Sequence, residues 1–188
     1  MHRNLIKIKF VALILSLFLL TPAFAYEDGF GSAKKVVGKH FIIYYSAQLD
    51  PYFLLQKLNI GPGDMLLTSQ PDEDNDDLAS ALDTLYARVG NILDMNLYSL
   101  QVTLKICRDL DQLRGIHRAM FDKDITTSSF YVNDLSTIYI SADYFTKEIL
   151  GHEIAHTIIN HYFAVSPSPK ASEILAGYVE YQLRKSSR

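Results

Sequence analysis

The chain has 188 residues, of which 48% are hydrophobic and 21% charged, with 9 Gly, 6 Pro, 12 Tyr and no Trp. That is ordinary globular composition and excludes a collagen-like, coiled-coil or wholly disordered protein. The formal charge is −3, and no cluster of Lys and Arg is present to meet phosphates, which excludes a nucleic-acid partner.

The first departure from the average lies at the start. Phe10 to Leu20 is apolar except for Ser16, is preceded by Arg3, Lys7 and Lys9, and is followed by Ala23-Phe24-Ala25. A basic start, a short apolar run and small residues two apart read as a secretory signal peptide over 1–25, cleaved after Ala25. The run is shorter than the roughly 20 apolar residues that a membrane span needs, so a membrane association is expected only if the segment stays uncleaved. The protein is therefore expected to be exported, periplasmic or extracellular, with residues 26–188 forming one domain. Loss of three basic residues leaves 15 Lys and Arg against 21 Asp and Glu, a formal charge of −6 for the processed chain.

Lys39 to Tyr45 is rich in β-branched and aromatic residues and reads as a strand. Asp50-Pro51 then opens a short helix through Leu58, with Pro where its missing N–H costs nothing. Residues 61–77 form an acidic loop, broken by Gly61-Pro62-Gly63 and Pro71. Asp72, Asp74 and Asp76 are spaced as in a calcium loop, but Asp77 and Asp83 stand where that loop requires Gly and Glu. A solvated acidic surface is expected instead.

Leu78, Leu82, Leu85, Val89, Leu93 and Leu97 recur at steps of three and four, which predicts an amphipathic helix over 77–97. Gln101 to Cys107 reads as a strand and Asp109 to Met120 as a helix. Cys107 is the only cysteine, so no internal disulfide is available and a buried, inert thiol is expected. Ser129–Val132 and Thr137–Ile140 read as a hairpin across 133–136. A long helix is expected from Ala142 to Phe163, and a last one from Ala171 to Lys185 after a break at Pro167 and Pro169. Strands and helices without regular βαβ alternation predict an α+β fold.

The chemistry is concentrated in His152-Glu153-Ile154-Ala155-His156, an H-E-x-x-H motif inside the predicted helix. Four helical residues turn about 400°, so both imidazoles project from one face and can reach one metal ion. Glu153 lies about 100° around, placed to act on water without binding the metal. With six His and six Glu in 188 residues, such a motif arises by chance on the order of once in two hundred chains of this composition. A catalytic zinc usually takes a third protein ligand. The metzincin spacing needs Gly and His where Ile159 and Tyr162 stand, and His161 falls on another side of the helix. A carboxylate of the last helix remains, either Glu173 or Glu180, and Glu173 fits better because it lies in the first turn after a loop that lets the chain reverse.

Together, His152-Glu153-x-x-His156 and Ser172-Glu173-Ile174-Leu175-Ala176-Gly177-Tyr178 resemble the gluzincin group of zinc metallopeptidases, in particular the peptidase MA-like domains with H-E-x-x-H followed by E-G-x-A-x-Y. The strand Thr137–Ile140 is similar to the edge strand that those enzymes place along their cleft. The resemblance is specific over 136–181. It implies a zincin-like metallopeptidase domain, with a small mixed or antiparallel sheet packed on an active-site helix and a following C-terminal helix. It implies one Zn²⁺ per chain held by His152, His156 and Glu173, with Glu153 as general base, and a peptide or protein as substrate.

The match departs from the family in places. Ile174 replaces a Gly, and Gly177 stands where thermolysin-like enzymes often carry an Asp that supports a zinc histidine. Glu180, seven residues from Glu173 on the same helix face, is open to that role or to a plain ion pair. Gly177 is expected to let the two helices approach closely, and Tyr178 to pack. Peptide hydrolysis also needs a donor for the tetrahedral intermediate, and the sequence leaves it open among His161, Tyr131, Tyr139, Tyr144, Tyr162 and a partner chain. The alternative to a peptidase is a non-catalytic module of the same fold that binds a peptide or an envelope component.

Overall fold

The computed structural model describes residues 28–60 and 77–186. The expected signal peptide over 1–25 and the acidic loop up to residue 76 lie outside the described residues. Among the described residues, five strands and five α-helices make a mixed α+β fold.

The strands are β1 (Ala33–Val37), β2 (Phe41–Ser46), β3 (Val102–Cys107), β4 (Ser129–Val132) and β5 (Thr137–Ser141), in the sheet order β1-β2-β3-β5-β4. β2, β3 and β5 run parallel, and each edge strand pairs antiparallel with its neighbour. The helices are α1 (Pro51–Leu58), α2 (Asp77–Leu93), α3 (Leu110–Phe121), α4 (Lys147–Tyr162) and α5 (Pro169–Lys185). Period-two alternation sorts the strand side chains onto two faces. Phe41, Ile43, Val102, Leu104, Ile106, Ile138 and Ile140 meet α1, α2, α4 and α5 in the larger core. Cys107 and Tyr139 face the other way, toward Leu113 and Ile116 of α3 and toward Phe30. Burial raises the Cys107 thiol to about 12, so it is inert, as expected.

Local chemistry explains the helix ends. Asp50 accepts a hydrogen bond from Tyr52 N at 3.0 Å ahead of Pro51, and Asp109 accepts from Gln112 N at 2.8 Å. Two predicted helices are shorter than their periodicity. α2 stops at Leu93 because Asp94 turns the chain in the left-handed region, φ 54°, although Leu97 still packs on the core. The expected helix over 142–163 is a short 3₁₀ turn at Ala142–Tyr144 followed by α4, whose start is set by Thr146 accepting from Ile149 N at 3.4 Å.

β1 has no counterpart in the sequence reading. Its Ala33-Lys34-Lys35 is exposed and lacks the apolar alternation of a strand, and edge strands commonly carry lysine. The expected edge strand over Thr137–Ile140 is corrected as well. β5 is bonded on both sides, to β3 and β4, and all five of its residues are buried. The edge beside α4 is β4, the first strand of the hairpin.

The two helices that close the larger core, α4 and α5, pack directly on each other. Their close contact is not at Gly177, where an added Cβ would meet nothing within 4 Å. It is at Gly151, where a Cβ would overlap Leu183 Cδ1 and touch Val179. Gly151 immediately precedes the first histidine of the motif.

Candidate metal centre

α4 presents His152 and His156 on one face, and α5 brings Glu173 over them. The two Nε2 atoms are 3.1 Å apart, Glu173 Oε1 is 3.3 Å from His156 Nε2, and Glu173 Oε2 is 3.5 Å from His152 Nε2. The ligand atoms of these three residues all lie within 4.8 Å of one another, a group that can hold a metal ion. The sequence expectation for the three residues thus corresponds to one place in the fold. Both imidazoles are half-buried, whereas the Glu173 side chain is 63% exposed and gives the group an open side.

The tautomers follow from the outer contacts. His156 Nδ1 is 2.9 Å from Ser172 Oγ, so a proton on Nδ1 has this hydroxyl as its acceptor and Nε2 is left free to bind a metal. Burial, and then the neighbouring His152, holds the His156 pKa below its ordinary value, so the neutral form that binds metal is favoured. His152 Nδ1 is enclosed and has no hydrogen-bond partner among the described residues. Glu180 Oε2 lies 3.6 Å from it, and Glu180 also pairs with Arg184 one turn further along.

Glu153 points toward the sheet side of the same site. It is 7% exposed, and Ser129 Oγ on β4 donates to its Oε1 at 2.7 Å. Burial pushes the Glu153 pKa up, opposed by the Ser129 hydrogen bond and by His152. A raised carboxyl beside a metal group is suited to taking a proton near neutral pH.

Two cavities flank Glu153. One, of about 390 Å³, is lined by Tyr131, Asn133, His156, Asn160 and Glu173, and the other, of about 330 Å³, by Thr126, Thr127, Tyr144 and Glu180. Thr127, Ser129, His152 and Glu153 line both. Of the expected donors, Tyr131 and Tyr144 therefore border the site. Tyr139 is on the opposite face of the sheet, donating to Asp28 at 2.6 Å. His161 is held by Thr157 O at 2.9 Å and by Ser136 Oγ at 3.4 Å, away from both cavities, and Tyr162 is 48% exposed. Tyr178, expected to pack, is also 48% exposed.

Sequence reasoning missed Ser129, Ser172, Asn133 and Asn160. Ser172 adjoins Glu173 and Asn160 is one turn from His156, so both carried a spacing signal. Ser129 and Asn133 carried none, because they come from a hairpin whose docking against α4 is a tertiary fact. Compared with known proteins, the chain matches no family model, no curated protein and no solved structure.

Proposed function

We propose that this chain is an exported zinc-dependent peptidase of the gluzincin type, with a zincin-like domain. The observation that carries the reading is the convergence of three donor residues: the two imidazole Nε2 atoms are 3.1 Å apart, and the two oxygens of the Glu173 carboxylate lie 3.3 Å from one and 3.5 Å from the other. A tetrahedral ion with bonds of about 2.0–2.1 Å places its ligand atoms about 3.3–3.4 Å apart. Two neutral imidazoles and one carboxylate are a common donor set for a catalytic zinc, and the exposed side of the group leaves a position for water or substrate.

When bound, zinc supplies a Lewis acid that makes water nucleophilic near neutral pH and polarises a carbonyl. Glu153 takes the proton of the attacking water and passes it to the leaving amine, and Ser129 holds the carboxylate in place meanwhile. The substrate backbone lies along β4. Ser141 N donates to Ser128 O at 3.0 Å, so the antiparallel alternation turns the N–H and C=O of Ser129 and Tyr131 away from β5. An extended peptide added there passes both cavities and the metal group. Of the tyrosines, Tyr144 and Tyr131 border these cavities, Tyr131 with its hydroxyl donating to Asn133 Oδ1 at 3.5 Å, and either could turn a donor to the developing oxyanion.

Glu153→Gln keeps the shape of the site and all three metal donors. Zinc content by atomic absorption is expected to match wild type, while hydrolysis of a mixed peptide library falls by at least about 10²–10⁴-fold. Glu173→Ala removes a donor and is expected to lose zinc during dialysis that leaves Glu153→Gln loaded. A wild type with full zinc occupancy that cleaves nothing, yet binds peptide as well as Glu153→Gln, would decide for the binding module.

A further inference from the structure

We propose that Glu180, anchored by Arg184, is the carboxylate that orients His152 through Nδ1, so that α5 supplies both the third metal donor and the outer partners of the two imidazoles. This rests on the metal-site reading above.

The starting point is an imbalance between the two histidines. Each turns its Nε2 toward the shared donor group, so a histidine that gives Nε2 to a metal there must carry its proton on Nδ1 and present that N–H to an acceptor. His156 has one in Ser172 Oγ. His152 has none, although its Nδ1 is shut away from solvent. An enclosed N–H without an acceptor is unfavourable, and the acceptor at hand is Glu180 Oε2 at 3.6 Å. A side-chain adjustment of under about 1 Å brings this pair into the usual hydrogen-bond range. Catalytic and metal-site hydrogen bonds are often long until the site is loaded.

Helix geometry accounts for the choice of residue. Seven residues are close to two turns, so Glu180 lies on the same face of α5 as Glu173. Gly177, one turn from Glu173, has no side chain to offer, and the space around it is open. The partner therefore comes from the next turn, where a Glu is long enough to reach back. Arg184 makes this reach definite, because its Nη2 donates to Glu180 Oε1 and leaves Oε2 for His152. The ion-pair role and the supporting role that the sequence leaves as alternatives for Glu180 are one arrangement, with one oxygen serving each. The two imidazoles then differ in kind, one backed by a hydroxyl and one by a carboxylate, and the carboxylate makes His152 the more basic ligand. Glu180 touches neither the reacting atoms nor the metal and is a positioning residue.

The test is zinc affinity of the full-length protein, measured by competition with a chromophoric chelator. Glu180→Ala is expected to weaken zinc binding about 10–100-fold. Arg184→Ala is expected to weaken it less, and Asp111→Ala, which removes one exposed negative charge far from the site, to leave it unchanged. In ¹H–¹⁵N spectra of the zinc-loaded protein, a slowly exchanging His152 Nδ1–H signal is expected in wild type and Asp111→Ala but not in Glu180→Ala. Should Glu180→Ala fail to fold, Glu180→Met, similar in size but without an oxygen to accept from Nδ1–H, decides by the same two readouts. Zinc binding by the folded Glu180 variant as tight as wild type, with the Nδ1–H signal intact, overturns the assignment alone. A wild type that takes up no zinc overturns the metal-site reading and this assignment with it.

Discussion

Asp28 shows how much one polar residue can hold on the face of the sheet away from the metal group. It is 5% exposed and accepts from Tyr139 OH at 2.6 Å, from Phe30 N at 3.1 Å and from Lys105 Nζ, whose ammonium also lies over the rings of Phe30, Tyr44 and Tyr139. Burial alone would raise its pKa, but the hydrogen bonds from Lys105, Tyr139 and Phe30 together outweigh it, and the Asp28 carboxyl sits below its ordinary value. A carboxyl whose folded pKa is depressed adds stability that is present above the unfolded value and is lost as pH falls through the folded one. Asp28→Asn is therefore expected to cost about 2–3 kcal/mol at neutral pH, because it leaves Lys105 without its counter-charge. In urea titrations the gap between variant and wild type should narrow steadily below about pH 4. A gap that stays constant with pH would mean that Asp28 acts by shape and not by charge.

At the level of elements, the packing of α4 on α5 positions the site. Two glycines on these helices make opposite predictions. Gly151 faces Leu183 and Val179 with no room for a methyl group. Gly151→Ala is expected to force the helices apart, destabilising the fold by about 1–3 kcal/mol and weakening zinc binding, because His152 is the next residue. Gly177 is exposed, inside a helix, and its surroundings are empty. Gly177→Ala is expected to stabilise by about 0.5–1 kcal/mol, the ordinary gain of Ala over Gly in a helix. Thermal melts of the two variants with and without zinc separate these effects. Equal and opposite behaviour, with Gly177→Ala the damaging change, would return the close helix approach to the position that sequence pattern suggested.

For the whole molecule, a metal held by His152, His156 and Glu173 would be linked to folding, because these donors come together only when α4 and α5 are docked. Zinc at about a hundred times its dissociation constant adds about 2.7 kcal/mol to the stability of the folded state. At about 2–4 °C per kcal/mol for a domain of this size, the melting temperature should rise by about 5–10 °C and fall back when a chelator removes the metal. A melting temperature indifferent to both would show that the donor group binds no zinc in solution. The sheet meanwhile separates two environments. The donor group, Ser129 and Glu153 lie on one face, and Asp28, Lys105 and Tyr139 on the other. Variants of Asp28 and of Glu173 are thus distant enough to be read independently.

By itself the sequence determined whatever depends on neighbours along the chain. The period of four in His152 and His156, the capping residues Asp50 and Asp109, the alternation of β2 and β3, and the hairpin of β4 and β5 are all local, because helix turns, caps and pleats are set within a few residues. Even Glu173 was legible, through its place at the start of a helix that must fold back. Only the tertiary structure decided which strand is the edge, that Ser129 rather than a residue of α4 holds Glu153, and that Gly151 rather than Gly177 admits the neighbouring helix. It also decided that Tyr131 and Tyr144 border the site while Tyr139 faces away. These outcomes depend on sheet order and on the docking of hairpin and helices, which bring together residues far apart in sequence and leave no period or spacing along the chain to be read.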